Sequence, residues 1–155
     1  MTNRRSRLIS VLATSLVGAG LLSTMAYAGD TGFDPKREAA VPDEMLEFVN
    51  INPAIRMAAA FGDRSRGAHG SFGKFPASFS TPMHTHSGAY HGVVIAGEMT
   101  NPFAGEKNPP RMGPGSYWYV PAESVHATAC VSATPCEFYF HADAAFDFQE
   151  VVAGK

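Results

Sequence analysis

The stretch PMHTHSGAYHGVVIAG, Pro82 to Gly97, decides the fold. Alternate side chains of a strand point the same way, so His84 and His86 can present two imidazoles to one metal ion. Tyr90 has the same parity and should face inward with them, whereas His91 is one residue out of phase and should point outward. An H-x-H pair alone also fits two polar residues on a solvent-facing strand, so the metal hypothesis depends on the sequence around it.

A second stretch, GSYWYVPAESVHATAC from Gly115 to Cys130, supplies that context. With the first stretch it resembles the two signature motifs of the cupin superfamily, G-x5-H-x-H-x3-4-E-x6-G and G-x5-P-x-G-x2-H-x3-N. The match runs from Ser78 to Cys130, about 40% of residues 29–155, and its 17-residue spacer suits a small bacterial cupin. The sequence from Pro82 to Ile95 also resembles a cupin subgroup of unassigned function, akin to the cupin-like domain of zinc-binding anti-sigma factors.

The resemblance implies that His84, His86 and His126 ligate a divalent metal ion. Zn, Fe, Mn, Ni and Cu are the candidates, because the ligand type alone does not name the metal. Three neutral imidazoles leave the site at +2, one charge more than with a carboxylate ligand, which favours anionic molecules. Three protein ligands also leave a coordination position open for water or substrate.

This chain departs from the family motifs at four positions. They are Ser78 and Glu123 in place of glycines, Tyr90 in place of the glutamate ligand, and Cys130 in place of the final asparagine. We expect Tyr90 to be catalytic, as an acid or base beside the metal; the alternatives are a space-filling phenol or a fourth ligand. His91 would replace Tyr90 if Tyr90 pointed outward.

The rest of the chain predicts an all-β protein, a single cupin-type jelly-roll β-barrel over residues 29–155. Short runs rich in Val, Phe and Tyr alternate with Gly, Pro and Asn clusters, which is typical of such barrels. Met57 to Phe61 could form one helical turn. The predicted strands are Met45 to Ile51, Ser71 to Phe75, Gly92 to Ile95, Tyr117 to Val120, Val125 to Cys130 and Cys136 to His141.

Residues 1–28 read as a cleaved signal peptide, with three arginines, an uncharged stretch and a final Ala26-Tyr27-Ala28. A retained anchor is the alternative, since Leu8 to Gly29 is long enough to span a bilayer. Arg4-Arg5 leaves the twin-arginine route open beside the general one. Periplasmic or secreted localisation follows from this interpretation.

The charge after the leader argues against polyanionic partners. The leader holds three of the twelve Lys and Arg residues and none of the fourteen acids, so residues 29–155 carry a net charge of −5. They contain no basic run, so we expect no nucleic acid and, after cleavage, no membrane as partner. The expected partner is a small-molecule ligand, and a homodimer is left open.

Two cysteines, Cys130 and Cys136, are expected to form a disulfide, because an exported protein meets an oxidising compartment. Two free thiols or a redox dithiol are the alternatives. If the disulfide closes a simple antiparallel hairpin around Val131 to Pro135, paired residue numbers sum to 266. The expected pairs are then His126 with Phe140, Thr128 with Phe138, and Val125 with His141.

The combined prediction is an exported, metal-dependent cupin enzyme of dioxygenase, isomerase or lyase type, acting on a small molecule held in the barrel. Phe138 and Phe140 are expected to line its substrate pocket. Asp63 and Arg64 are expected to form an ordinary polar turn. The alternative is that they contact the substrate. A non-catalytic metal- or ligand-binding sensor module is the competing function, because fold does not fix function. His141 is expected to be exposed unless a bulge shifts the register, and His69 is expected to be structural or exposed.

Overall fold

The computed structural model describes residues 34–152, and the leader prediction for residues 1–28 lies outside them. Within this range there is no α-helix, and one 3-10 helix spans Asp43–Met45. No helix of the described part is long and apolar enough to cross a membrane. The strands are β1 (Val49–Asn50), β2 (Arg56–Phe61), β3 (His69–Phe75), β4 (His84–Thr85), β5 (Tyr90–Ala96), β6 (Met99–Thr100), β7 (Tyr117–Val120), β8 (Ala129–Cys130), β9 (Cys136–Ala142) and β10 (Gln149–Glu150).

The first layer is a six-stranded antiparallel sheet in the order β1-β2-β3-β9-β5-β7. Its inward faces follow the two-residue period of a strand. In β9 every second side chain is buried, Phe138 and Phe140 among them, and in β5 the buried positions include Tyr90 and Val94. The apolar core therefore lies against this sheet's inner face.

The second layer consists of two short ladders, β4–β10 and β6–β8. Isolated bridges extend this layer: His84 of β4 pairs with His126, and His126 also pairs with Phe103. The two layers enclose the core as a β-barrel of jelly-roll type, the fold class that the motifs predict. This places His84 and His126 on neighbouring segments of the second layer, opposite the aromatic face of β9.

Two glycines of the six-stranded sheet allow large aromatic rings to pack directly against its backbone. A Cβ at Gly92 would lie 2.0 Å from the ring of Trp118, and one at Gly73 would lie 2.3 Å from the ring of Phe138. Both distances are below any normal carbon–carbon contact, so only glycine allows this packing.

The backbone retains the glycine geometry of the cupin motifs even where this chain lacks glycine. Gly97 and Gly115 have φ of 77° and 85°, and Ser78 and Glu123 have φ of 54° and 61°. The last two are the only described non-glycine residues with positive φ. A side chain in this left-handed region costs roughly 1–2 kcal/mol, so the fold maintains these turns against local preference.

One helix prediction and two strand predictions need correction. Met57 to Phe61 is not helical but lies in β2, because pairing with β1 and β3 outweighs the helix propensity of its alanines. Of the strand predicted at Met45 to Ile51, only β1 forms a ladder. Of the strand predicted at Val125 to Cys130, only β8 does, and His126 makes isolated bridges.

The Cys130–Cys136 disulfide is present, but the predicted hairpin is not. β8 pairs with β6, whereas β9 pairs with β3 and β5. The loop from Val131 to Pro135 therefore crosses between the layers, and the disulfide joins them. The predicted pairs His126–Phe140, Thr128–Phe138 and Val125–His141 are wrong, because partner strands come from distant parts of the chain that a local register argument does not include.

Candidate metal centre

Three buried histidines converge inside the barrel. His84 and His86 come from β4 and the residue that follows it, and His126 from the adjoining segment before β8. Their exposed fractions are 2%, 3% and 0%. The Nε2 atoms of His84 and His86 are 3.1 Å apart, and one ligand nitrogen from each ring lies within 4.8 Å of the other two.

Each imidazole is held by a backbone carbonyl at its other nitrogen. The Nδ1–H of His84 donates to Pro82 O at 2.8 Å, and that of His126 donates to Ser124 O at 2.9 Å. His86 Nδ1–H donates to the carbonyl of Asp147. These bonds assign the proton to Nδ1 and leave an Nε2 lone pair on every ring, the usual arrangement around a metal ligand.

This donor set fits a cation. Because both Nδ1 atoms carry the proton, neither His84 nor His86 has an Nε2–H to donate across their 3.1 Å separation. Two lone pairs facing each other in a buried site repel unless a positive charge lies between them. The group can therefore hold a divalent metal ion through three Nε2 atoms.

Burial keeps these rings neutral. Desolvation lowers the pKa of His84 and of His86 from 6.5 to about 4, and it also lowers the pKa of His126. An imidazole must be deprotonated to ligate, so the site is ready to bind metal across the neutral range.

Tyr90 faces the same space from β5, as its parity predicts. Its side chain is buried, and its hydroxyl donates to His126 Nε2 at 3.0 Å. Burial raises the pKa of Tyr90 to about 12, so the phenol is protonated at neutral pH. The hydroxyl occupies the Nε2 lone pair of His126, so an ion ligated by His126 would replace this hydrogen bond and leave the phenol proton beside the metal site.

An inner cavity of about 60 Å³ adjoins His84 and His86. Phe138 and Phe140, predicted from the sequence as substrate-binding, are buried and form part of its wall. Thr81 and Thr128 are its polar neighbours besides the histidines and Tyr90. The cavity is therefore small and mostly apolar, with its nitrogen donors at one place.

Sequence reasoning missed the segment that closes this cavity, the C-terminal strap, defined as Phe146 to Glu150. The ring of Phe146 stacks on His86 at a centroid distance of 4.0 Å, and Phe148 stacks on His84 at 4.2 Å. The end of the strap is β10, which pairs with β4. The alternating Phe-Asp-Phe pattern was a signal for a strand with one apolar face.

The strap is anchored by Asp147. Its carboxylate accepts hydrogen bonds from the backbone N–H and the hydroxyl of Ser87, at 2.8 and 2.6 Å, and from Gln149 Nε2 at 2.7 Å. These bonds, the Ser87 hydroxyl above all, lower the pKa of Asp147 to about 2. Asp147 thus supports His86 through its carbonyl and fastens the strap through its carboxylate.

The remaining histidines lie apart from the cluster. His91 is exposed on the outer face and hydrogen-bonds Tyr117, as its parity predicts. His141 is also outward, half-buried, and its Nε2 lies 3.0 Å from an Asp143 oxygen. His69 is structural: it is fully buried, and its Nδ1–H donates to Gly67 O at 2.9 Å.

Solved structures with the same fold are numerous but distant in sequence. The polyketide cyclase RemF from Streptomyces resistomycificus is 15% identical over 77% of this chain and 89% of its own, with a TM-score of 0.64. An RmlC-like cupin from Shewanella frigidimarina is 16% identical over 70% and 92%, with a TM-score of 0.56. The DMSP lyase DddQ from Ruegeria pomeroyi is 18% identical over 64% and 57%, with a TM-score of 0.52.

At these identities the likeness shows the fold alone, which is that of the cupins. No curated protein matches the sequence. Residues 46–153 match the profile of a family described as a domain of unknown function, DUF4437. The match covers more than half of the chain, including both histidine stretches and the C-terminal strap. The chain therefore belongs to the DUF4437 family and has the cupin fold.

Proposed function

We propose that this protein is an exported, metal-dependent enzyme that acts on a small molecule held in the barrel. The observation that carries the proposal is the convergence of three buried Nε2 atoms beside an apolar cavity, with every Nδ1 tied to a carbonyl. A structural zinc site uses four protein ligands, whereas three leave a position open for chemistry.

In this proposal His84, His86 and His126 hold the ion, which would supply Lewis acidity toward an oxygen of the substrate. Tyr90 holds a proton at its hydroxyl and gives or takes it as general acid or base. Phe138 and Phe140 form the apolar wall against which the substrate lies. The phenyl rings of the strap exclude bulk water, which strengthens the electrostatic interactions inside.

Metal analysis of protein purified without added metal tests the metal centre. We expect one divalent ion per chain, and its loss in His84→Ala and in His126→Ala, because two ligands are too few to retain it. The matched control is His141→Ala, whose ring lies outside the cluster and whose removal should keep the metal. Loss of metal in the control with retention in His126→Ala would refute the assignment.

Turnover separates the enzyme from the alternative sensor module. The metal-loaded protein would be screened for oxygen consumption and for lyase and isomerase products with small acids, including aromatic ones. Turnover that disappears in His126→Ala supports the proposal. Stoichiometric metal binding with no turnover in any screen would favour the non-catalytic module.

Export is tested by the mass of the mature chain. Cleavage after Ala28 would leave a chain beginning at Gly29, and the Cys130–Cys136 disulfide supports an oxidising destination. An intact leader in a membrane fraction would refute cleavage.

A further inference from the structure

A second, outer cavity of about 430 Å³ lies beyond the strap, and the side chain of Arg64 lines it. Arg64 is half-buried in the turn before β3. Within residues 34–152 its guanidinium has no hydrogen bond or ion pair, although Asp63 precedes it. The Asp63 carboxylate is already occupied by Ser65 and, at 3.1 Å, by Arg66.

A half-buried cation without a partner is costly, because a charge removed from water needs compensating hydrogen bonds or an opposite charge. Burial also lowers the pKa of Arg64, and the charge of Asp63 offsets only part of this effect. A guanidinium presents a planar set of N–H donors that matches a carboxylate in two-point contact. Its position thus suits a ligand that brings its own negative charge.

The outer and inner cavities share part of their walls. Five residues line both: Ile55, Met57, Thr81, Phe146 and Phe148. Four of these are apolar. Arg64 is the one Lys or Arg among the described residues that line either cavity.

Two acids, Asp147 and Glu150, also line the outer cavity, but neither forms an ion pair with Arg64. The Asp147 carboxylate is turned to Ser87 and Gln149 instead. The cation therefore remains available to a ligand that enters from outside.

We propose that Arg64 is a specificity-determining residue that binds the carboxylate of a small acid with an apolar body. The body lies along Phe146 and Phe148, and the opposite end enters the inner cavity, which has room for only a few water-sized groups. This inference deepens the proposed function and rests on it for what happens at the histidines. The carboxylate contact itself does not depend on metal.

The test uses two probes of equal shape, 3-phenylpropanoate and the neutral 3-phenylpropanamide, titrated calorimetrically into the metal-loaded full-length mature protein. We expect the carboxylate to bind at least about tenfold more tightly, as for hydrogen bonds to a charged group. Arg64→Met should abolish this preference. Arg111→Met, which removes an exposed cation that pairs with Glu98 and lines neither cavity, should retain it.

A second arm distinguishes Arg64 from the metal as the source of the preference. In His126→Ala the preference should persist even where metal is lost. A preference that disappears in His126→Ala and survives in Arg64→Met would place the anion on the metal and overturn the proposal. A protein that binds metal in no condition refutes the proposed function but leaves the Arg64 comparison intact.

We expect the Arg64 variants to fold, because the strap is bound to the backbone of Arg64 and not to its side chain. The backbone N–H of Phe146 donates to Arg64 O at 2.8 Å. Arg64→Gln is a second neutral variant, and Arg64→Lys should recover part of the preference. A wild-type protein without preference for the carboxylate, including one that binds neither probe, would overturn the proposal.

Discussion

Acid should destabilise the metal-free protein between pH 6.5 and pH 4, because two buried imidazoles are neutral in the fold. His84 and His86 each have a pKa of about 4 in the folded chain against an ordinary 6.5. The unfolded chain therefore binds more protons in this window, and the free energy of unfolding falls as the pH falls. Below pH 4 the folded state is protonated as well, and these two groups cause no further loss.

The size of the effect follows from the pKa difference. At 1.36 kcal/mol per pH unit, each ring costs about 3 kcal/mol by pH 4. Since domains of this size are stable by about 5–15 kcal/mol, the pair can remove a large part of the total. A proton on one ring would be shared with the Nε2 of the other ring, 3.1 Å away, so the two rings repel each other only when both are charged.

The assay is urea unfolding of chelator-treated protein at several pH values, followed by fluorescence of the buried Trp118. Metal-loaded protein should resist acid to lower pH, since the ion competes with the proton for Nε2. A double variant, His84→Gln with His86→Gln, should make the metal-free profile shallower, and the remaining slope comes from His126 and His69, whose pKa values burial also lowers. Asp147, with a pKa lowered to about 2, contributes stability that is lost only below about pH 4, so it does not confuse the window. An unfolding free energy that stays constant from pH 6.5 to 4 would refute the reasoning.

Four substitutions test other parts of the structure. Tyr90→Phe should keep the metal and lower turnover by roughly 10²–10⁴-fold if the phenol is the acid or base; loss of metal would make Tyr90 a fourth ligand instead. Phe148→Ala should destabilise by about 1 kcal/mol and speed metal removal by a chelator, because a ring that stacks on His84 is lost; an unchanged rate would mean that the strap does not shield the site. Glu123→Gly should stabilise by about 0.5–1 kcal/mol in thermal unfolding, since its φ of 61° suits glycine, whereas Glu123→Ala, which keeps the Cβ, should not. Replacing Cys130 and Cys136 together with Ala should cost about 2 kcal/mol in denaturant unfolding, the value for a short closed loop; no loss would mean that the layers hold together without it.

The cupin fold was predictable because the motifs that indicate it are short, local stretches of sequence. Alternation along a strand put His84, His86 and Tyr90 on one face, and parity put His91 on the other; the structure has both arrangements. The motif glycines correspond to left-handed turns, and the turn persists even at Glu123, so the motif position was more informative than the residue that occupies it.

Strand pairing was not predictable in the same way. The hairpin register assumed that neighbours in sequence pair, but β8 and β9 belong to different layers, and the disulfide crosses between them. The alanine-rich β2 had no local pattern to distinguish it from a helix, and its conformation is decided by the strands on either side.

By itself, the sequence determined the period-2 alternation, the turns and the spacing of the histidine motifs, because each depends on residues only a few positions apart. Only the tertiary structure decided which distant segments meet at the site. Asp147 reaches His86 across 61 residues, and Phe148 covers His84 across a similar distance. Arg64 became a candidate ligand for the same reason, since the burial of an unpartnered charge depends on how the layers close over it and not on its neighbours in the chain.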